Sequence, residues 1–189
     1  VAGVAQSSLG VGMKQFLLPF LEVFEILAIV LISIYIIYGF VAQPFLVQGA
    51  SMEPNFSSGD YLLVDEATYY FREPGRGEVV VFKNPNDLDE FYIKRIVGLP
   101  GEEVVISGNE VTVDGEVLDE FYLGDGIRSD GKYVFQLDED EYFVMGDNRT
   151  HSSDSRFWGP LDKNLITGRE FFKLLPRSSF CYLIGTPTG

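Results

Sequence analysis

The chain carries one cysteine, Cys181, and one histidine, His151, among its 189 residues. A lone cysteine forms no intrachain disulfide, and one Cys with one His builds no structural zinc site, so no metal is expected. The same scarcity makes His151 the sole support for any Ser-His-Asp or Cys-His enzyme. Proton transfer near neutral pH therefore falls to a lysine, a tyrosine or a carboxylate with a shifted pKa. Cations are scarce too, with 14 Lys and Arg against 28 Asp and Glu and a net charge of −14. Phosphate binding needs clustered cations, so nucleic acid is not an expected partner.

Charge is nearly absent from the first 44 residues, where Lys14 stands against Glu22 and Glu25. Phe16 to Leu21 and Ile26 to Val41 carry no charge, and with Val23 and Phe24 they approach the ~20 residues that span a bilayer. Tyr35, Tyr38 and Phe40 at one end, and the two glutamates at the other, suit interfaces. The reading is a transmembrane helix over 23–42 after an N-terminal segment over 1–22; a buried helix or a cleaved signal sequence is the alternative. Met13-Lys14 is a natural start, which makes 1–12 an extension. Lys14 places the N-terminus in the cytoplasm and the acidic remainder outside.

From Phe45 onward short β runs alternate with turns. Tyr61–Asp65, Val79–Phe82 and Phe91–Val97 are rich in β-branched and aromatic residues. Val111–Val113 and Glu116–Leu118 flank Asp114-Gly115, a strong hairpin signal. A further strand pair, Tyr133–Leu137 and Tyr142–Met145, brackets the acidic run Asp138–Glu141, read as a solvated turn, with a cation site as the alternative. The fold class is mainly β: one β domain over 43–176, with a small β subdomain near 103–142 and a tail over 177–189 of no assigned role.

Three stretches could carry chemistry. In Phe91–Val97, alternation places Tyr92, Lys94 and Ile96 on one face and Ile93, Arg95 and Val97 on the other. Either face brings a cation among apolar neighbours. A partly desolvated Lys94 would have a lowered pKa and act as a base; an edge strand with both cations reaching water is the alternative. Gly49-Ala50-Ser51 with Pro54 is a tight setting in which a hydroxyl and backbone N–H groups can face a substrate, or an ordinary loop. Gly146 to Arg156 is a long polar loop with charges of both signs, suited to bracing by ion pairs.

Taken in order, these residues resemble the motif set of bacterial type I signal peptidases. The resemblance rests on Ser51-Met52-x-Pro54, Arg76-Gly77-Glu78 running into Val79–Phe82, Tyr92 to Gly101, and Gly146-Asp147-Asn148-Arg149 with Ser152, Asp154, Ser155 and Arg156. It covers about Gln43 to Gly159, behind the single anchor that family also has. It implies a membrane-bound serine endopeptidase on the outer face of the cytoplasmic membrane, cleaving signal peptides from exported preproteins without a cofactor. Ser51 would be the nucleophile and Lys94 the general base, with Ser152 hydrogen-bonding and orienting the lysine. Arg95, Asp147, Asp154 and Arg156 would be supports. The Ser51 N–H would be one oxyanion donor and the Gly49 N–H the second, since many longer members have a serine where Gly49 stands. Glu78 replaces the usual aspartate.

Phe45, Val47, Met52, Tyr92 and Ile93 match the shallow apolar pockets that admit small side chains; plain core packing is the alternative, above all for Phe45 and Tyr92. His151 is expected to be an exposed loop residue outside the chemistry. Two other functions are open to such a chain. A self-cleaving Ser/Lys repressor would carry a basic DNA-binding head, which the apolar N-terminus is not. A membrane-tethered, non-enzymatic β binding module accounts for the anchor and the charge, but not for Lys94 or the Ser152 loop.

Overall fold

The computed structural model describes residues 5–40, 42–124 and 131–174, which fall into two units divided after Val41. The tail after Pro176 lies outside the described residues.

The first unit is one helix, α1, Ala5–Phe40, which passes through Pro19 and is longer than the 23–42 expected. Its window Leu18–Tyr35 has a mean hydropathy of 2.1 and is not buried within the protein. Leu21, Phe24, Ile29 and Leu31 are all more than half exposed. At ~1.5 Å per residue this window is ~27 Å long, close to the ~30 Å hydrocarbon layer. Apart from Glu22 and Glu25 near one end, the window has no charged residue on any side, which suits lipid better than one stripe against a soluble core.

The second unit is built of short strands: β1 Ala42–Leu46, β2 Tyr61–Asp65, β3 Val79–Asn84, β4 Asp87–Gly98, β5 Glu103–Ser107, β6 Glu110–Val113, β7 Glu116–Val117, β8 Lys132–Gln136, β9 Glu141–Met145, β10 Leu161–Asp162 and β11 Ile166–Leu174. A one-turn helix, α2, Ser155–Trp158, precedes β10. The larger sheet runs β1-β2-β11-β3-β4-β9-β10 and the smaller β7-β6-β5-β8. Every pairing is antiparallel. In β2, Leu62 and Val64 point inward while Tyr61 is exposed, as alternation requires. β3 lies between β11 and β4, and Val79, Val80, Val81 and Phe82 are all buried, the mark of a strand covered on both faces. Asp114 and Gly115 take φ of 49° and 81°, which the two-residue turn between β6 and β7 requires of both its residues.

β8 and β9 do not pair with each other. β8 pairs with β5 in the smaller sheet, whereas β9 pairs with β4 and β10 in the larger. Their burial explains the split: β8 is covered at alternate positions only, while β9 is buried from Tyr142 to Met145 and needs neighbours on both edges. The acidic turn is therefore the crossing between sheets. The sheets are joined by a shared core in which Val104, Ile106, Val111 and Leu137 meet Val97, Phe143 and Met145.

The larger sheet is strongly curled. In a flat sheet β1 and β4 would lie four strand spacings apart, ~19 Å. Instead the rings of Phe45 on β1 and Phe91 on β4 meet edge to face at 5.3 Å. Curling encloses a core of Val47, Met52, Phe56, Leu62, Val64, Val79 and Val81, and leaves a groove along the unpaired stretch of β4.

Candidate active site

Lys94 sits where β4 changes from a single-partnered to a double-partnered strand. It is opposite Val80 on β3, and β9 joins the other edge only at Arg95, opposite Met145. The side chain is 4% exposed, so the edge-lysine alternative does not hold. Its Nζ donates to Ser51 Oγ at 2.8 Å and to the Ile93 carbonyl at 2.8 Å, and lies 5.4 Å from the Tyr92 ring centroid. Burial pushes the amine down to about 8, against the opposing pull of the Asp154 and Asp147 carboxylates. A substantial fraction of the amine is thus neutral near physiological pH.

Ser51 stands on a turn anchored from below. Met52 is 1% exposed and buried among Val47, Leu62 and Val81, and Phe56 N–H returns to Met52 O at 2.9 Å. Met52 is thus core rather than groove wall, a correction to its placement among the pocket residues: the chain reverses at Ser51, so the next side chain points away from the groove. From the other side, Asn148 donates its backbone N–H to Ser51 O and its Nδ2 to Ala50 O, each at 3.0 Å. Gly146 makes this approach possible. A Cβ there would lie 2.4 Å from Ser51 O and 2.2 Å from Ser152 Oγ, so any larger residue would push the loops apart.

The loop from Gly146 to Arg156 is held by two buried ion pairs. Arg95 donates Nε and Nη2 to Asp147 at 2.9 and 2.7 Å. Arg156 donates Nε and Nη2 to Asp154 at 2.8 and 2.9 Å. Both carboxylates are fully buried, and both pairs are bidentate, the geometry that best offsets desolvation. Asp154 also accepts from Gly146 N–H at 3.0 Å and caps α2, while Arg156 reaches the Arg149 carbonyl at 2.6 Å. The four supports named from sequence are therefore brought together around the pair Ser51 and Lys94.

Ser152 departs from expectation. It is 7% exposed, yet its Oγ has no hydrogen-bond partner among the described residues. The Ile93 carbonyl, rather than Ser152, takes the second Nζ contact, and Ser152 Oγ is turned against the Gly146 backbone. Gly49 also differs: its N–H faces Ser58 Oγ at a long 3.4 Å.

The groove, about 540 Å³, is lined by Phe45, Val47, Tyr92 and Ile93, with Ser51 and Lys94 at its wall. Glu90, Phe91, Gln48 and Ser153 also line it and were not singled out from sequence, and His151, expected outside the chemistry, lines it as well. For Glu90 and Phe91 the signal is the open edge of β4, which comes from sheet order and not from residue type. His151 is exposed, with Nδ1 2.9 Å from Thr150 Oγ1. Among the described residues no cluster of three His, Cys, Asp or Glu side chains is gathered to hold a metal.

The sequence matches the family described as "Signal peptidase, peptidase S26" over residues 20–175. The chain belongs to this family. Among relatives, it is 39% identical to "Probable signal peptidase I-2" of Synechocystis sp., over 72% of this chain and 65% of that protein. It is 36% identical to "Signal peptidase I" of Leptolyngbya laminosa, over 72% of this chain and 70% of that one. This S26 chain thus spans about two thirds of the length of those relatives. A signal peptidase I crystal structure from Enterococcus faecalis V583 aligns with 53% of this chain and 98% of its own at 26% identity, with a TM-score of 0.47.

Proposed function

We propose that the chain is a membrane-anchored serine endopeptidase that removes N-terminal signal peptides from exported preproteins, with Ser51 as nucleophile and Lys94 as general base. The observation that carries this reading is the 2.8 Å separation of Lys94 Nζ and Ser51 Oγ at an amine 4% exposed and pushed down to about 8. A hydroxyl is a weak nucleophile until a base takes its proton, and a neutral lysine within hydrogen-bond reach can do so.

In the forward direction Ser51 Oγ attacks the scissile carbonyl while its proton passes to Lys94 Nζ. The oxyanion is met by the Ser51 N–H, which donates to no acceptor among the described residues. The Lys94 ammonium then gives its proton to the departing amine, leaving an acyl ester on Ser51. Neutral again, Lys94 deprotonates a water, which attacks the ester, and the same proton returns to Ser51 as the acyl product leaves. Asp147 and Asp154 stabilise the ammonium formed in each half. Gly49 is the second flank of the oxyanion site. Ser152 packs beside the pair and would orient Lys94 on turning from Gly146.

An extended substrate fits the unpaired edge of β4, with Val47, Ile93, Phe45 and Tyr92 shaping shallow apolar pockets for small side chains before the cut. The anchor α1 crosses the bilayer once, with the N-terminus cytoplasmic and the β unit outside, on the charge of Lys14.

The test is cleavage of a preprotein with Ala one and three residues before its cut site, using the full chain in detergent micelles. The native protein is expected to release the mature product, and Ser51→Ala or Lys94→Ala to release none. Full turnover by either variant would overturn the reading.

A further inference from the structure

The turn Glu120–Leu123, between β7 and the undescribed residues 125–130, has no part in the reaction above, yet it touches every segment that builds the site. Leu123 N–H closes it on Glu120 O at 2.9 Å. Asn55, four residues beyond the nucleophile, donates Nδ2 to the Tyr122 carbonyl at 2.8 Å and to Asp147 Oδ2 at 2.7 Å. A primary amide has two N–H hydrogens, and these two bonds use both. Arg95, next to the base, lays its guanidinium 4.2 Å from the Tyr122 ring centroid while gripping Asp147. Arg149, buried in the polar loop, forms an ion pair with Glu120, which also accepts from Tyr122 OH at 3.0 Å, and its Nε holds Gly146 O at 3.1 Å.

We propose that Glu120, Tyr122 and Asn55 form a positioning clamp that fixes the Ser51 loop against the strand carrying Lys94. The inference rests on the Ser51/Lys94 reading above and adds to it the residues that set the separation of the pair. Nucleophile and base belong to segments far apart in sequence, and proton transfer tolerates little error in their distance. Met52 anchors the turn from within the core, but a core contact does not fix its rotation towards β4. Asn55 does, because its amide is shared between Asp147, already bound by Arg95, and the backbone carbonyl of Tyr122, whose ring lies against that same arginine. The turn follows β7, the edge strand of the smaller sheet. None of the three side chains touches the reacting atoms; they act through Asp147, Arg95 and Gly146.

A structural role alone would lower stability without selectively slowing the chemical step, and this separates the two. With the full chain in micelles and a preprotein substrate, Tyr122→Ala and Asn55→Ala are expected to lower kcat by about 10- to 100-fold, with KM within about twofold of native. Tyr122→Phe keeps the ring and the carbonyl and loses only the bond to Glu120; it is expected to restore most of kcat. Val113→Ala, a core truncation in the smaller sheet away from the clamp, is expected to lower Tm while leaving kcat near native. The proposal is overturned if Asn55→Ala or Tyr122→Ala leaves kcat unchanged, raises KM alone, or slows turnover no more than Val113→Ala at a matched loss of Tm. If Tyr122→Ala fails to fold, Asn55→Ala decides. Native-like turnover by Ser51→Ala would overturn the underlying reading; an inactive Ser51→Ala beside a fully active Asn55→Ala would overturn the clamp only.

Discussion

The two side chains proposed to react face each other at 2.8 Å but are held by unlike means. Lys94 stands on a strand between β3 and β9, so its direction is set by sheet register: a slip of one residue would turn it to the opposite face. Ser51 stands on a turn with no strand partner, held by a buried Met52 beneath and by Asn148 and Asn55 at its side. Lys94 is fixed by regular secondary structure and Ser51 by particular side chains. The Lys94 side should therefore withstand changes around it, while the Ser51 side should lose alignment when one hydrogen bond goes.

The largest effects come from removing the pair itself. Ser51→Ala, Lys94→Ala and Lys94→Arg should each lower turnover by on the order of 10⁴-fold or more, measured by product release, the last because a guanidinium cannot give up its proton. If Lys94→Arg stayed active, the base would have to be another group. Next is Asp154→Ala, which strands the buried Arg156 and removes the acceptor of Gly146 N–H. Breaking a buried pair from one side costs about 3–5 kcal/mol, measurable by denaturant unfolding.

Of similar size and opposite sign is Lys94→Met, read as stability against pH. An amine at about 8 in the fold and 10.5 in the open chain destabilises the native state wherever both forms are charged, that is below about 8. The penalty is on the order of 3 kcal/mol and fades as pH rises through 8 to 10.5. Lys94→Met should therefore unfold later than native near neutral pH and lose that advantage above about 10.5. The smallest effect is at the exposed pair Lys163–Glu73, where the lysine side chain is 39% exposed and the carboxylate 67%. Lys163→Ala should shift stability by less than about 1 kcal/mol, which sets the baseline for the buried pairs.

What could be read beforehand follows the same division. β2 and the Asp114-Gly115 hairpin were legible because strand alternation and turn chemistry are local. Lys94 stood out because a cation among apolar strand residues is a local anomaly, whereas Arg95, Asp147, Asp154 and Arg156 were named only through the family resemblance, and it is the fold that shows them paired. Met52 was misplaced because it is next to Ser51 in sequence, while the reversal of the chain sends it into the core. Ser152 is buried but lacks the bond to the amine that the resemblance implied, since a hydroxyl rotamer against Gly146 leaves no trace in sequence. Asn55, Glu120 and Tyr122 were invisible for a further reason: each is ordinary in its own segment, and only the folded chain brings them together. The pairing of β8 with β5, and not with its neighbour β9, was likewise a choice between partners that burial decides.

The central claim is a neutral amine at Lys94 beside the Ser51 hydroxyl, and the pH dependence of Ser51 acylation under single turnover measures it most directly. The rate should rise with pH through an inflection near 8 and level off above it, with the inflection abolished in Lys94→Ala. A rate flat between about pH 6 and 9, or an inflection near the 10.5 of an ordinary lysine, would contradict the account.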